Sequence, residues 1–174
     1  PEVLYQVKFH GRVAEYKDEH GAVHHQWMDT DDVMAMAHDT PIPGYATRTV
    51  NNMRLWAAKS SRDFDLGYFN QGDYIKAVED KDRSENLSKV LYPNDSTQMG
   101  SELRLKQQYF FTCASLQDIL TRYLKDHDHF DALPDKVAIQ LNDTHPSIAI
   151  AELMRILVDP HQRPRDGHRR HADR

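Results

Sequence analysis

"VAIQLNDTHPSIAIAELMRILVD" occupies residues 137–159 and changes character halfway. Val137, Ile139 and Leu141 alternate with other residues, which predicts a strand over 137–141. The alternation stops at Asn142, Asp143, Thr144, His145 and Pro146. Apolar residues then recur at helical spacing, and Pro146 suits a first helical turn, so a helix is predicted over 146–158. Strand, polar loop and helix make half of a βαβ unit, which points to an α/β sheet. In open α/β sheets ligands gather at the carboxyl ends of strands, where Asp143 and His145 stand. Asp143, Thr144 or His145 could simply cap the following helix, whose first amides lack partners. A carboxylate beside an imidazole could instead hold vicinal hydroxyls of a sugar, or act as acid and base. A metal reading of Asp-x-His needs further ligands that the sequence does not place there.

"LYPNDSTQMGSELRLKQQYFF", residues 91–111, is the other unusual stretch. Pro93, Asn94, Asp95, Ser96 and Gly100 form a polar loop ahead of an apolar helix. The plain reading is a turn and a helix start. The functional reading is a mobile gate over a cleft, with polar tips that bond hydroxyls and Tyr92 offering a flat face to a sugar ring. The helix itself is predicted over 101–125. Leu105, Tyr109, Leu116, Ile119 or Leu120, and Tyr123 make one stripe. Glu102 with Lys106, and Asp118 with Arg122, are favourable pairs four apart. Phe110, Phe111, Cys113 and Ala114 widen the apolar face, so burial on more than one side is expected.

Elsewhere the patterns are less distinctive. Residues 4–28 alternate in two runs around "KDEHG", with Gly21 where a turn wants a positive φ, and predict a hairpin. Residues 31–37 read as a last short strand. "HDTPIPGY", 38–45, is expected to be irregular because of its prolines and glycine. "VNNMRLWAAK", 50–59, has helical composition. Residues 61–74 read as a loop and 74–90 as a charged helix. The tail 160–174 lacks a hydrophobic period and is rich in Arg and His, so it is expected to be disordered, a solvated tail or a reading-frame artefact.

The chain has 174 residues, 27 acidic and 22 Lys or Arg side chains, and a formal net charge of −5. That balance gives no electrostatic reason to expect nucleic acid or an anionic membrane. No apolar run reaches the roughly eighteen residues a membrane-spanning helix needs. Cys113 is the single cysteine, which fits a reducing, cytosolic compartment. No glycine-rich phosphate cradle and no Gly-x-Ser-x-Gly elbow is present.

Several blocks together resemble the glycogen, starch and maltodextrin phosphorylase family, with the bacterial form nearest in character. They are "DTPIPGY" with "TVNNMRLWAAK", "FNQGDYIKAVEDK", "VLYPNDST" with "GSELRLKQQYFF", "ASLQDIL" and "DKVAIQLNDTHPSIAIAELMRILVD", in order across residues 4–159. The resemblance implies an internal piece of the N-terminal lobe, partly Rossmann-like, of a two-lobed GT-B enzyme, preceded by the hairpin region. It assigns residues 1–159 to that lobe and leaves 160–174 unmatched. It implies phosphorolysis of terminal α-1,4-glucosidic bonds by inorganic phosphate, giving α-glucose 1-phosphate with retention. The cofactor implied is pyridoxal phosphate on a lysine of the other lobe, and the implied assembly is a homodimer. By this resemblance Asn94, Asp95 and Ser96 form the active-site gate and Tyr92 stacks on an acceptor-side sugar. Asp143 and His145 hold acceptor-side hydroxyls, and Arg104 lies in the cleft near the gate. Ser96, Thr97 and Gln98 depart from the family, many of whose members carry a second Asn and then aromatics that form an inhibitor site. The chain alone is expected to be inactive. The alternative is a stand-alone maltodextrin-binding module.

Overall fold

A computed structural model describes residues 3–60 and 76–158. The predicted loop at 61–74 and the predicted tail at 160–174 lie outside those residues. Five strands come first: β1 (Leu4–Phe9), β2 (Arg12–Lys17), β3 (Val23–Met28), β4 (Asp31–Pro43) and β5 (Val50–Ser60). Helices α1 (Lys76–Lys89), α2 (Gln98–Tyr123) and the short α3 (Leu133–Lys136) follow. A 3-10 turn (His145–Ile148) then runs directly into α4 (Ala149–Val158). The architecture is α/β, but every strand pairing among the described residues is antiparallel.

The predicted hairpin holds for β2 and β3, which pair from Arg12 with Met28 to Lys17 with Val23. Its turn is closed by the Asp18 carboxylate, which accepts the amides of His20 and Ala22 at 2.9 Å each. Gly21 has φ +80°, a conformation nearly free of cost only for glycine. β1, however, leaves this hairpin and pairs with β4, giving a second sheet of order β1-β4-β5.

Three further expectations are corrected. Residues 50–59 form a strand, not a helix. Met, Leu, Arg and Ala favour helices only weakly, and β5 instead gains an eleven-residue ladder with β4. Trp56 and Ala58, two apart, are buried, which is a strand period. Residues 38–43 are not irregular, because β4 runs on to Pro43. The pairing of β1 with β4 ends at Met36, so among the described residues Pro41 and Pro43 lie where β4 has a neighbour on one side only. A proline there removes no ladder bond provided its nitrogen faces the open side. Residues 137–141 make no strand. Val137 is extended, yet no described strand pairs with this segment, and Ile139 and Leu141 stay exposed.

The helix α2 organises the rest. It begins three residues before the predicted start because Thr97 is its N-cap. The Thr97 hydroxyl accepts the Gly100 amide at 3.1 Å, satisfying one of the free first-turn donors. Phe110, Cys113 and Ala114 bury one face against Val7, Phe9, Val33, Ala35, Trp56 and Ala58 of the three-stranded sheet. Leu116 and Leu120 form a second core with Ala149 and Ile156 of α4. Leu105, placed in the predicted stripe, is 57% exposed, so the buried face is rotated from that expectation. Both predicted charge pairs form, Lys106 with Glu102 at 2.6 Å and Arg122 with Asp118 at 3.0 Å. Asp118 is buried and also accepts Arg54 at 2.6 Å and the Tyr5 hydroxyl at 3.2 Å, which ties α2 to the sheet.

Candidate functional site between the 92–104 loop and the His145 turn

Two polar segments far apart in sequence meet over one face of α2. The first follows the end of α1 at Lys89. Buried Gln107 anchors it, donating its side-chain amide to the carbonyls of Leu87 at 3.0 Å and Val90 at 2.7 Å. The loop then folds tightly on α2. The Asn94 Oδ1 accepts the Ser96 amide at 3.0 Å, and the Ser101 hydroxyl donates to the Asp95 carbonyl at 2.9 Å. A Cβ at Gly100 would stand 1.8 Å from the Asn94 carbonyl oxygen, so only glycine permits this approach. The second segment is the junction ahead of α4, which ends in the 3-10 turn.

Between them lies a cavity of about 180 Å³. Leu91, Tyr92, Phe111 and Pro146 give it apolar walls, and Arg104, Gln107, Gln108, Thr112 and His145 give it polar groups. The Tyr92 ring meets the His145 ring edge to face, centroids 6.2 Å apart. The Gln108 Nε2 lies 3.3 Å from His145 Nδ1, and the Asp143 carboxylate lies 3.8 Å from His145 Nε2. The Arg104 guanidinium donates to Asp95 at 2.5 Å. Tyr92 and Asp143 both adopt positive φ, 55° and 65°. His10, Asp29 and Ala46 share this conformation away from the cavity, so it does not by itself mark the site.

The Asp143 carboxyl is held below the usual carboxylate range. The main cause is the Thr144 amide, which it accepts at 2.5 Å, followed by the Thr144 side chain, with the positive charge of Arg104 adding to it. It is therefore an anion at neutral pH, available to accept hydrogen bonds. The expected helix cap is not made. Thr144 sits at the N-cap position of the 3-10 turn, but its side chain takes no capping bond, and Asp143 serves the Thr144 amide instead.

Of the seven residues singled out in the sequence, Tyr92, Arg104 and His145 line the cavity. Asp95 and Asp143 reach it through their contacts with Arg104 and His145. Asn94 and Ser96 do not line it, and their bond to each other shapes the loop. Sequence reasoning gave no place in the site to Gln107, Gln108, Phe111, Thr112, Leu91 and Pro146. A signal for four of them existed: Gln107, Gln108, Phe111 and Thr112 follow Arg104 at spacings of three and four, one face of α2.

The chain is similar to known proteins over most of its length. A family model described as "Phosphorylase: Carbohydrate phosphorylase" matches residues 1–167. The chain is 55% identical over 165 residues, 95% of its length, to glycogen phosphorylase of Chlamydia pneumoniae, and covers 20% of that protein. It is 54% identical over 167 residues, 91% of its length, to the muscle form of Homo sapiens, and covers 19% of it. Against the liver form of Bos taurus the figures are 52% over 172 residues, 94% of this chain and 20% of that protein. The bacterial and mammalian identities are too close to single out the bacterial form. The chain thus spans about a fifth of the length of the curated relatives it matches, and it belongs to the carbohydrate phosphorylase family.

Proposed function

We propose that this chain is part of the Rossmann-like N-terminal lobe of a GT-B α-1,4-glucan phosphorylase, and that the cavity between Tyr92, Arg104 and His145 holds an acceptor-side glucosyl unit. The whole enzyme, a cytosolic homodimer in this reading, would split terminal α-1,4-glucosidic bonds of glycogen or maltodextrin with inorganic phosphate. The product is α-glucose 1-phosphate. The observation that carries the reading is the convergence of a tyrosine ring, an imidazole, an arginine and two amides on one small cavity, in a chain of this family. An aromatic face with polar groups around it suits a pyranose, which is apolar on its faces and hydroxylated at its rim. At about 180 Å³ the cavity is below the range of about 300–1,000 Å³ for drug-sized ligands, and it suits one ring better than several.

Each side chain then has a task. Tyr92 stacks on the ring. His145 and Asp143 bond hydroxyls. Arg104, paired with Asp95, couples the position of the 92–97 loop to the cavity wall, so that the loop acts as a gate. Pyridoxal phosphate, the cofactor of the family, does not fit the residues here. A Schiff base needs a lysine amine within the site, and no lysine lines this cavity. No step assigned to this chain passes through it.

The test is His145→Ala in a complete enzyme carrying these residues. An unpaired sugar hydroxyl lowers kcat/KM toward maltoheptaose by the equivalent of about 1–3 kcal/mol of transition-state stabilisation, and unchanged efficiency refutes the assignment.

A further inference from the structure

We infer that Gln108 is a positioning residue that holds His145 in its Nε2–H tautomer, so that His145 and Asp143 together present one donor and one acceptor to a single saccharide hydroxyl. This deepens, and rests on, the reading of His145 as a hydroxyl-binding group. The argument starts from the two neighbours of the imidazole. Its Nδ1 faces the Gln108 side-chain amide at 3.3 Å, and its Nε2 faces the Asp143 carboxylate at 3.8 Å.

A carboxylate offers only acceptors, and the lowered pKa of Asp143 keeps it ionised. A lone pair on Nε2 would point at that negative charge, whereas a proton there is attracted to it. With the proton on Nε2, Nδ1 becomes an acceptor, and the amide nitrogen of Gln108 is the donor that meets it. The reverse arrangement would turn the Gln108 carbonyl toward Nδ1–H and set the Nε2 lone pair against the carboxylate. The two contacts therefore select one tautomer together.

At 3.8 Å the Nε2–H and the Asp143 oxygen are too far apart to satisfy each other. Both stay available. A hydroxyl is at once a donor and an acceptor, so it can take the imidazole proton on its oxygen and give its own proton to the carboxylate. Gln108 is well placed for this duty. It stands one helical turn after Arg104 on α2, and both line the cavity, so the rigid helix fixes the imidazole relative to the gate contact.

The test uses the 174-residue chain with 15N-labelled histidine at about pH 8, where an ordinary imidazole is neutral. Long-range 1H–15N correlations report which ring nitrogen of His145 carries the proton, and His145→Ala identifies its signals. The wild-type chain is expected to show Nε2–H. Gln108→Met, which removes the donor, is expected to shift the tautomer ratio toward Nδ1–H by about fivefold, the effect of one hydrogen bond. Gln108→Glu, matched in size, replaces the donor by an acceptor and is expected to move the proton to Nδ1, which a merely space-filling role would not do. A wild-type chain protonated on Nδ1, or a ratio unchanged in the folded variants, overturns the inference. Should Gln108→Met unfold, Gln108→Glu and the wild-type tautomer decide. The His145→Ala measurement on the complete enzyme keeps the two readings apart. A tautomer that responds to Gln108, with kcat/KM toward maltoheptaose unchanged in His145→Ala, supports the positioning role and removes the saccharide reading.

Discussion

Replacing Glu152 by alanine is expected to destabilise this fold by about 2–4 kcal/mol. Glu152 lies on α4, and its side chain is 3% exposed. Its two oxygens accept the Arg155 guanidinium at 2.7 and 2.8 Å, and they also accept the Cys113 thiol at 3.0 Å and the Tyr109 hydroxyl at 3.4 Å. One carboxylate thus ties α4 to α2. Its removal leaves a cation and two weaker donors unpaired. Breaking a buried ion pair from one side costs about 3–5 kcal/mol. The guanidinium keeps 27% exposure and lies 5.4 Å from the Trp27 ring, so some of its charge stays solvated or faces a π cloud, which lowers the figure. Urea unfolding followed by circular dichroism and tryptophan fluorescence measures the loss. The double variant Glu152→Met with Arg155→Met removes both charges together and is expected to be more stable than the single variant. A single-variant loss below about 1 kcal/mol, or a double variant no more stable than the single, refutes the reasoning.

Two further expectations concern the same framework. Gly100→Ala puts a Cβ where 1.8 Å separates it from the Asn94 carbonyl oxygen, so the 92–97 loop must lift from α2. Thermal unfolding should show a loss of about 1–3 kcal/mol, and a neutral effect would contradict the packing. Alkaline pH should also destabilise the chain. Burial, and then the Glu152 charge, push the Cys113 thiol up from its ordinary value near 9 to about 12. Between those values the unfolded chain has released a proton that the folded chain retains. Stability therefore falls as pH rises through this window, by about 1.4 kcal/mol per pH unit for this group. Tyr109 is displaced upward too, chiefly by burial, so its titration adds to the loss at still higher pH. Cys113→Ala should flatten the curve over that window, and urea titrations across it provide the check.

The parts of the fold legible in the sequence are those whose causes lie within a few residues. The helix α2 carries its own period and its i,i+4 pairs, although its cap at Thr97 and its first three residues went unread. The β2–β3 turn is set by Asp18 and Gly21 within a handful of positions. The misread parts depend on distant partners. "VNNMRLWAAK" is strand because eleven residues of β4 lie beside it, and no property of the ten residues alone says so. Pro41 and Pro43 looked disruptive because their tolerance depends on where β1 stops pairing. Val137, Ile139 and Leu141 have a strand pattern that no described neighbour completes.

The candidate site divides along the same line. Tyr92, Arg104, Asp143 and His145 drew notice because polar and aromatic residues crowd at two junctions. Their meeting was not readable from either junction, since Tyr92 and His145, whose rings touch, belong to segments far apart in the chain. What joins them is α2. Its sheet-facing side, through Phe110 and Cys113, sets its height over the strands, and Glu152 of α4 reaches Cys113 and Tyr109 on the same helix. The 3-10 turn bearing His145 runs directly into α4, so the lock that stabilises the core also sets the distance from imidazole to Gln108. Loosening Glu152 should therefore disturb His145 before it unfolds the chain, and the ring-nitrogen signals of His145 in Glu152→Gln are where that coupling becomes visible. A His145 environment identical to wild type in that variant would mean that the 3-10 turn is held by its own local bonds, and that core and cavity are independent.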